Sequence, residues 1–237
     1  MKFEYAAIIG SSGSIGHAAL QIISEHPSLK KCYALSRGTH KFNHEKVEHI
    51  PIDYETEESI AQAASKIDKP LDLVLIATGI LHQDTIQPEK SIQQININNL
   101  EYIFKVNTFG PTLSMKHFIP KMNHERQNII AVLSAKVGSI QDNHLGGWYT
   151  YRASKSALNM IIKTASIESK HRYKKTYIVG IHPGTVKSKL SQPFTKHIHH
   201  EIFEPEKAMN QILDIIKNIK EKHHGRMIAY DGTVIPY

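Results

Sequence analysis

The amino-acid sequence predicts a three-layer α/β fold, a doubly wound sheet of seven parallel strands with helices on both faces. Three observations predict it. Apolar runs of strand length recur along the 237 residues with helix-length segments between them, the alternation that builds parallel sheets from strand–helix–strand units. Most of these runs are apolar on both faces rather than alternating, as strands covered on both sides must be. Several end on Gly, Ser or Asp, which gathers small and polar groups along the carboxyl edge, where doubly wound sheets bind ligands.

The first strand is expected over YAAIIG (5–10). It runs into a glycine-rich turn, GSSGSIG (10–16), and HAALQIISEH (17–26) follows as a helix. KKCYALSR (30–37) is the second strand and VEHIPID (47–53) the third, with a helix opening near Thr56. LDLVLIATG (71–79) is the fourth. A long helix is expected over 100–122, before the fifth strand, NIIAVLS (128–134). A second long helix spans 149–170, where Leu158, Ile161, Ile162 and Ala165 recur at spacings of three and four and form a continuous apolar face. TYIVGIHPG (176–184) is the sixth strand. A helix opens near Pro205, a favoured first-turn residue, and RMIAYDG (226–232) is the seventh strand. No repeat, low-complexity tract or linker interrupts the chain, so residues 1–237 read as one domain.

The composition, 41% hydrophobic and 22% charged, is that of a folded globular protein. The net charge of +7 comes from scattered lysines, with no basic run longer than two residues, which speaks for a solvated surface and against a nucleic-acid partner. The single cysteine, Cys32, excludes an internal disulfide. The longest apolar stretch, LVLIATGIL, is nine residues, too short to span a bilayer. The chain opens on an apolar strand without signal-peptide architecture, so a cytoplasmic location and no membrane partner are expected. Among the 16 histidines, HIHH (197–200) and the pair at 223–224 raise the question of a metal. Neither has the flanking Cys or carboxylate spacing of a zinc site, so solvated surface histidines and no metal are expected.

A glycine-rich turn between strand and helix lets the backbone approach a pyrophosphate, and the helix N-terminus adds free N–H groups and a positive dipole end. Gly10, Ser12, Gly13, Ile15 and Gly16 are the candidates, although tight turns also use glycine for steric reasons alone. Where an acid would grip the ribose 2′-hydroxyl, this chain has Ser36 and Arg37. A guanidinium suits a 2′-phosphate, so NADP(H) is preferred over NAD(H). The alternatives are a solvated loop arginine at 37 and a helix-capping role for Asp53.

Tyr151 and Lys155 lie near the start of the second long helix, one turn apart on one side. Both residue types are frequent here, so the pair takes its meaning from its surroundings. Lowering a phenol from about 10 to about 7 takes roughly 4 kcal/mol. One positive charge at about 4 Å supplies roughly that at an effective dielectric near 20. Such a tyrosine gives a proton to a carbonyl oxygen or takes one from an alcohol. Ser134, at the end of the fifth strand, is the candidate second donor to the substrate oxygen.

These residues, together with ATG (77–79), VNTFG (106–110), LSAKVGSI (133–140), YRASK (151–155) and HPGTVKSKL (182–190), occur in an order that resembles the short-chain dehydrogenase/reductases over nearly the whole chain. VGSI, GGWYTYRASKSALNM and YDGTVIP look most like the C-factor and sniffer branch of carbonyl reductase-like proteins. The resemblance implies a Rossmann fold, with Tyr151 as general acid/base and Lys155 lowering its pKa while holding the nicotinamide ribose. It also implies that Asn107 shapes the active-site helix and anchors a water. Gly10, Ile15 and Gly16 would hold the pyrophosphate, Asp53 the adenine, and Ala77 and Gly79 the adenosine side. Pro183, Gly184, Val186 and Ser188 would lie against the nicotinamide. The chain departs from the family pattern in four places, the first being Ile9 where a Thr is usual before the first glycine. Gly13 stands one residue before the usual glycine, the Asn-Asn-Ala-Gly element is Ile76 to Gly79, and the usual catalytic serine position is Ala135. Ser134 is then the catalytic candidate, with Ser139 as its rival.

KSKLSQPFTKHIHHEIFEP (187–205) is expected to form a lid that excludes water from the reaction. Phe194, Trp148 and Leu145 are candidates for its apolar wall, and Lys187, Lys189 and Lys196 hint at an anionic substrate. The function expected is an NADP-dependent oxidoreductase acting on a small-molecule carbonyl or alcohol. The alternative is a C-factor-like dinucleotide-binding signalling protein with little turnover. The two long helices could pair between subunits as a homodimer or homotetramer, or be satisfied within the chain.

Overall fold

Seven parallel strands form the sheet that the apolar runs predict: β1 (Tyr5–Ile9), β2 (Lys31–Ser36), β3 (Val47–Pro51), β4 (Leu73–Ile76), β5 (Asn128–Leu133), β6 (Thr176–His182) and β7 (Met227–Ala229). The computed structural model describes residues 3–38, 42–83, 85–197 and 201–237. An eighth strand, β8 (Val234–Ile235), pairs antiparallel with β7 at the edge, a strand that the reading of 226–232 as the last one lacks. Asp231 and Gly232 cause it. Gly232 takes φ +84 and the Ala229 N–H reaches the Thr233 carbonyl at 2.8 Å, the reversal an Asp-Gly pair favours. The strand order is β3-β2-β1-β4-β5-β6-β7-β8. The chain reverses its direction of winding between β1 and β4, and a crevice opens at their carboxyl ends.

The helices are α1 (Ser14–Ser24), α2 (Glu57–Ser65), α3 (Ile97–Phe104), α4 (Gly110–Phe118), α5 (Tyr149–Arg172) and α6 (Pro205–Lys217). They cover both faces. Along β1, Ala6 and Ile8 join a core that includes Leu20 and Ile23 of α1 and Ile212 of α6. Ala7 and Ile9 join the opposite core, with Ile60 of α2, Phe118 of α4 and Leu158 of α5. The two-residue period of the strand feeds two layers at once, which is why its sequence is apolar throughout. The α5 stripe is used the same way: Leu158 and Ile162 are fully buried, and Ile161 and Ala165 pack against that core. No described helix is long and apolar enough to cross a membrane.

The expected helix over 100–122 is interrupted. It starts earlier, at Ile97, where the Asn96 side chain accepts from the Asn99 N–H at 2.9 Å. Between α3 and α4, Lys105–Phe109 winds as a π-turn, a local insertion that often marks a functional position. Asn107 stands in its middle. At the far, amino end of the sheet, buried Asp72 accepts from the Glu4 and Tyr5 N–H groups and, in bidentate fashion, from Arg126 Nε and Nη2 at 2.7 and 2.8 Å.

His224 is not the solvated surface residue expected. It is buried, and its Nδ1 accepts from the Ile178 N–H at 3.0 Å, tying the segment before β7 to β6. Burial pushes its imidazole below the ordinary histidine range. A depressed folded pKa makes this contribution complete above the unfolded value of about 6.5 and lost as pH falls below it, because the unfolded chain binds the proton first. His224→Asn is expected to flatten the acid side of the thermal-stability profile, read as the Tm difference between pH 7.5 and pH 5. A variant profile as steep as the parent's counts against it.

Candidate active site

The glycine-rich turn leaves β1 with Gly10 at φ +85, its N–H on the Leu35 carbonyl at 2.9 Å. A Cβ on Gly10 would lie 2.9 Å from the Ala77 carbonyl oxygen, and one on Gly16 would lie 2.2 Å from the Gly10 oxygen. Both glycines are therefore demanded by close packing of strand, turn and helix. Gly13 is different: its Cβ would meet only Gly10 O at 3.4 Å. It caps α1 with no side-chain bond, and the first turn carries no acid. Ser12 is exposed on the turn, and Ile15 packs against a small cluster of Val186, Phe203 and Ala208.

At its carboxyl end β4 stops at Ile76, three residues before the end of the expected run 71–79, so Ala77, Thr78 and Gly79 leave the sheet. The Ala77 N–H still bonds Ile9 O at 2.8 Å. Thr78 Oγ1 is buried with no hydrogen-bond partner among the described residues. A buried hydroxyl of this kind calls for a ligand or water. A Cβ on Gly79 would lie 3.2 Å from Lys155 Nζ and 3.4 Å from Asn107 Oδ1, so these three expected site residues are brought together. Asn107 is fully buried. Its Oδ1 accepts from the Ile80 N–H at 2.8 Å, and its Nδ2 donates to Ile80 O at 2.8 Å and to Ser154 Oγ at 3.1 Å. The π-turn thus turns this amide inward, against the loop after β4 and against α5.

Tyr151 and Lys155 sit on the buried side of α5, and Lys155 Nζ donates to the Leu133 carbonyl at 3.2 Å. Their protonation differs from the expectation. Burial pushes the Tyr151 phenol up to about 12 rather than down toward 7. It pushes Lys155 down to about 8. In each case loss of hydration on burial penalises the charged form of the group. The phenol is held protonated at neutral pH, the state required to give a proton to a carbonyl oxygen.

The two serines differ in their bonds. Ser134 is buried and donates to Asn159 Oδ1 at 2.7 Å, and Asn159 Nδ2 donates to Gly138 O at 3.2 Å. Ser139 is also buried and accepts from the Asp142 N–H at 3.1 Å. Ser134 must release Asn159 before its proton can reach another acceptor.

Arg37 and Asp53 line one cavity of about 410 Å³ beyond the end of β2, together with Ser59, Gln62 and Lys66. Arg37 is not a free loop arginine. Its guanidinium lies 5.0 Å over the Tyr54 ring and its Nη1 is 2.9 Å from Glu55 Oε1. Asp53 shapes the turn before α2, accepting the Glu55 N–H at 3.0 Å, while Thr56 stands at the cap position.

Gly184 follows β6 at φ +77, with Pro183 before it. Val186 is buried and pairs with Phe203, whose N–H reaches Thr185 O at 2.8 Å. Ser188 is tied back to Val186 O at 3.2 Å. Within the expected lid, a short 3₁₀ segment covers Gln192–His197. Residues 198–200 of that lid, and of the HIHH run, lie outside the described residues, as does the Lys196 side chain. Phe194 meets Trp148 edge-on at 5.2 Å and His82 at 5.5 Å, and Trp148 meets Tyr151 at 6.3 Å. The aromatic wall therefore forms from Trp148 and Phe194, but Leu145 is 93% exposed and takes no part. Lys187 is paired with Glu204 at 2.9 Å on the surface. Among the described residues no group of three or more His, Cys, Asp or Glu is placed to hold a metal ion.

A glycine-rich turn between strand and helix, a buried Tyr–Lys pair and an inward asparagine stand at one sheet edge, and a family model described as short chain dehydrogenase matches residues 4–199. The chain belongs to the short-chain dehydrogenase family. It is accordingly an oxidoreductase that uses a nicotinamide dinucleotide. This dehydrogenase is 25% identical to C-signal of Myxococcus xanthus over 147 residues, 62% of this chain and 84% of that one. Its fold matches an NADPH-bound carbonyl reductase from chicken fatty liver and the carbonyl reductase Sniffer of D. melanogaster. Each match has a TM-score of 0.86 and 21% identity and covers 100% of both chains.

Sequence reasoning did not single out four residues that the structure places beside the candidate site residues: Thr78, Ser59, His82 and Glu89. Thr78 stood inside a quoted motif but carried no signal in its spacing. His82 Nε2 lies 3.0 Å from Lys189 O, 107 residues away, and Glu89 meets Thr150 across 61 residues, separations at which no local pattern survives.

Proposed function

We propose that this dehydrogenase is an NADP(H)-dependent carbonyl reductase in which Tyr151 gives the proton to the substrate carbonyl oxygen. The observation that carries the reading is the buried Tyr151–Lys155 pair, with its phenol protonated, beside Gly79 and Asn107. The residues present fit the cofactor. Gly10, Ser12, Gly13, Ile15 and Gly16 would hold its pyrophosphate on uncapped N–H groups of α1, and Arg37 and Asp53 its adenosine end. Ala77 and Gly79 would border the adenosine side, and Lys155 would hold the nicotinamide ribose. Pro183, Gly184, Val186 and Ser188 would lie against the nicotinamide. Bound there, NADPH supplies the hydride. Tyr151 Oη then neutralises the developing alkoxide, and Lys155, nearly all protonated at pH 7, stabilises the phenolate that remains. Asn107 fixes the loop after β4 at Ile80 and so holds Gly79 against Lys155. Trp148 and Phe194 shield the proton transfer from water.

Wild-type protein is expected to oxidise NADPH with members of a panel of aldehydes, ketones and quinones. Tight NADPH binding without turnover on any of them would favour the second reading, a C-signal-like regulatory protein. Ala135 at the usual serine position, and the bond of Ser134 to Asn159, are the observations that favour it.

Arg37, stacked on Tyr54, supports the NADP preference. Arg37→Ala is expected to raise the KM for NADPH about 10- to 100-fold, the worth of a charge-assisted phosphate contact. KM for NADH should change little. Equal effects on both cofactors would refute the 2′-phosphate contact.

A further inference from the structure

Glu89 is a buried carboxylate in the irregular segment between β4 and α3. Its Oε2 accepts from the Thr150 N–H at 3.2 Å, its Oε1 accepts from the Thr150 hydroxyl, and its backbone oxygen accepts from the Trp148 N–H at 2.6 Å. One residue thus holds Trp148 and Thr150, on either side of Tyr149, in the turn that delivers Tyr151. The first N–H groups of a helix have no partner within it and favour a negative group. Helix α5 provides none of its own: Trp148 at the cap position makes no side-chain cap bond, and the first turn has no acid.

The backbone entering α5 also needs holding. Gly146, Gly147 and Trp148 are three consecutive residues at φ +65, +65 and +52. Trp148 is the only described non-glycine residue at positive φ. Such a conformation persists only where the surroundings enforce it, and it tends to occur at functional sites. Here it aims the indole edge-on at Tyr151 and Phe194.

We infer that Glu89 is a positioning residue for Tyr151. It supplies from a distant loop the cap that α5 lacks, and it fixes both the first turn of α5 and the left-handed Trp148 that walls the substrate side. The inference rests on the reading of Tyr151 as proton donor. The same loop carries Ile80, which grips Asn107, and His82, which meets Lys189 and Phe194, so one segment sets the asparagine, the tyrosine and the lid together.

The test uses the full chain as wild type, Glu89→Ala, Glu89→Gln and Thr150→Val. Three quantities are measured: kcat and KM with a carbonyl the wild type reduces, NADPH affinity by its fluorescence, and acrylamide quenching of Trp148, the only tryptophan of the chain. Glu89→Ala is expected to lower kcat on the order of 100-fold, as small misplacements of a reacting group do. Its NADPH affinity should stay within about twofold, with Trp148 more readily quenched. Glu89→Gln, which keeps an acceptor oxygen, should restore both kcat to within about tenfold of wild type and the shielding of Trp148. Thr150→Val should lose kcat about tenfold at unchanged NADPH affinity, and it decides the matter if Glu89→Ala does not fold. The inference is overturned if kcat of Glu89→Ala, or of Thr150→Val in its place, stays within about threefold of wild type. It is equally overturned if NADPH affinity falls in step with kcat, or if Gln serves no better than Ala. If the wild type reduces no carbonyl, the reductase reading fails by itself and Trp148 decides. Quenching that rises with Ala and not with Gln upholds the positioning of the turn, and unchanged quenching refutes it.

Discussion

Tyr151→Phe is expected to lower kcat for carbonyl-dependent NADPH oxidation by about 10²- to 10⁴-fold, the worth of a positioned general acid. NADPH affinity and thermal stability should remain near wild type. Phenylalanine keeps the ring and its edge contact with Trp148 and removes only the hydroxyl. The proton donor is thereby isolated from the packing. Because burial pushes the phenol up to about 12, Tyr151 stays protonated throughout the neutral range. Of the two, Lys155 loses its proton first as pH rises, at about 8. The reduction rate should therefore be level from pH 6 to pH 7.5 and decline above 8. Turnover retained in the Phe variant would remove Tyr151 from the mechanism.

Lys155→Met is expected to stabilise the protein at pH 7 while abolishing turnover. A buried lysine whose pKa falls from 10.5 to about 8 opposes folding wherever both states are protonated, that is, below pH 8. Between 8 and 10.5 the unfolded chain holds more protons, so wild-type stability gains on the variant's with rising pH. Above 10.5 the penalty is gone. The shift corresponds to roughly 3 kcal/mol at pH 7, less about 1 kcal/mol for the lost bond to Leu133 O. A net gain of about 2 kcal/mol is roughly 4–8 °C in Tm for a domain of this size. Thermal melts of both proteins from pH 7 to 10.5 measure it. A variant that melts below wild type at pH 7, or a difference that does not shrink with pH, contradicts the account. The expected pattern is the exchange of stability for function common at active sites.

The sequence was most legible where one residue's role depends on its near neighbours. The apolar runs located all seven parallel strands, because a strand buried on both faces has no polar register to confuse it. The Gly10–Gly16 spacing was legible because a turn between strand and helix leaves no room for a Cβ at either position. The four-residue spacing of Tyr151 and Lys155 was legible because a helix turns that spacing into one face. The π-turn at Asn107 was not, since its extra residue is inserted to satisfy contacts with Ile80 and Ser154 rather than by local propensity. Leu145 was misplaced for the same reason. It lies three residues from Trp148, yet the left-handed run at Gly146 and Gly147 directs the indole inward and leaves the leucine outside.

The sequence alone determined the layered α/β fold, the glycine-rich turn and the placing of the Tyr–Lys pair on one helix face, because period, glycine sterics and helical spacing act over a few residues. Only the tertiary structure decided the protonation of that pair, the bonding of Ser134 to Asn159, the reversal into β8 and the hold of Glu89 on α5. Each of these depends on burial or on partners brought together from distant parts of the chain. The free energy of a charge or a hydrogen bond is set by what surrounds it after folding.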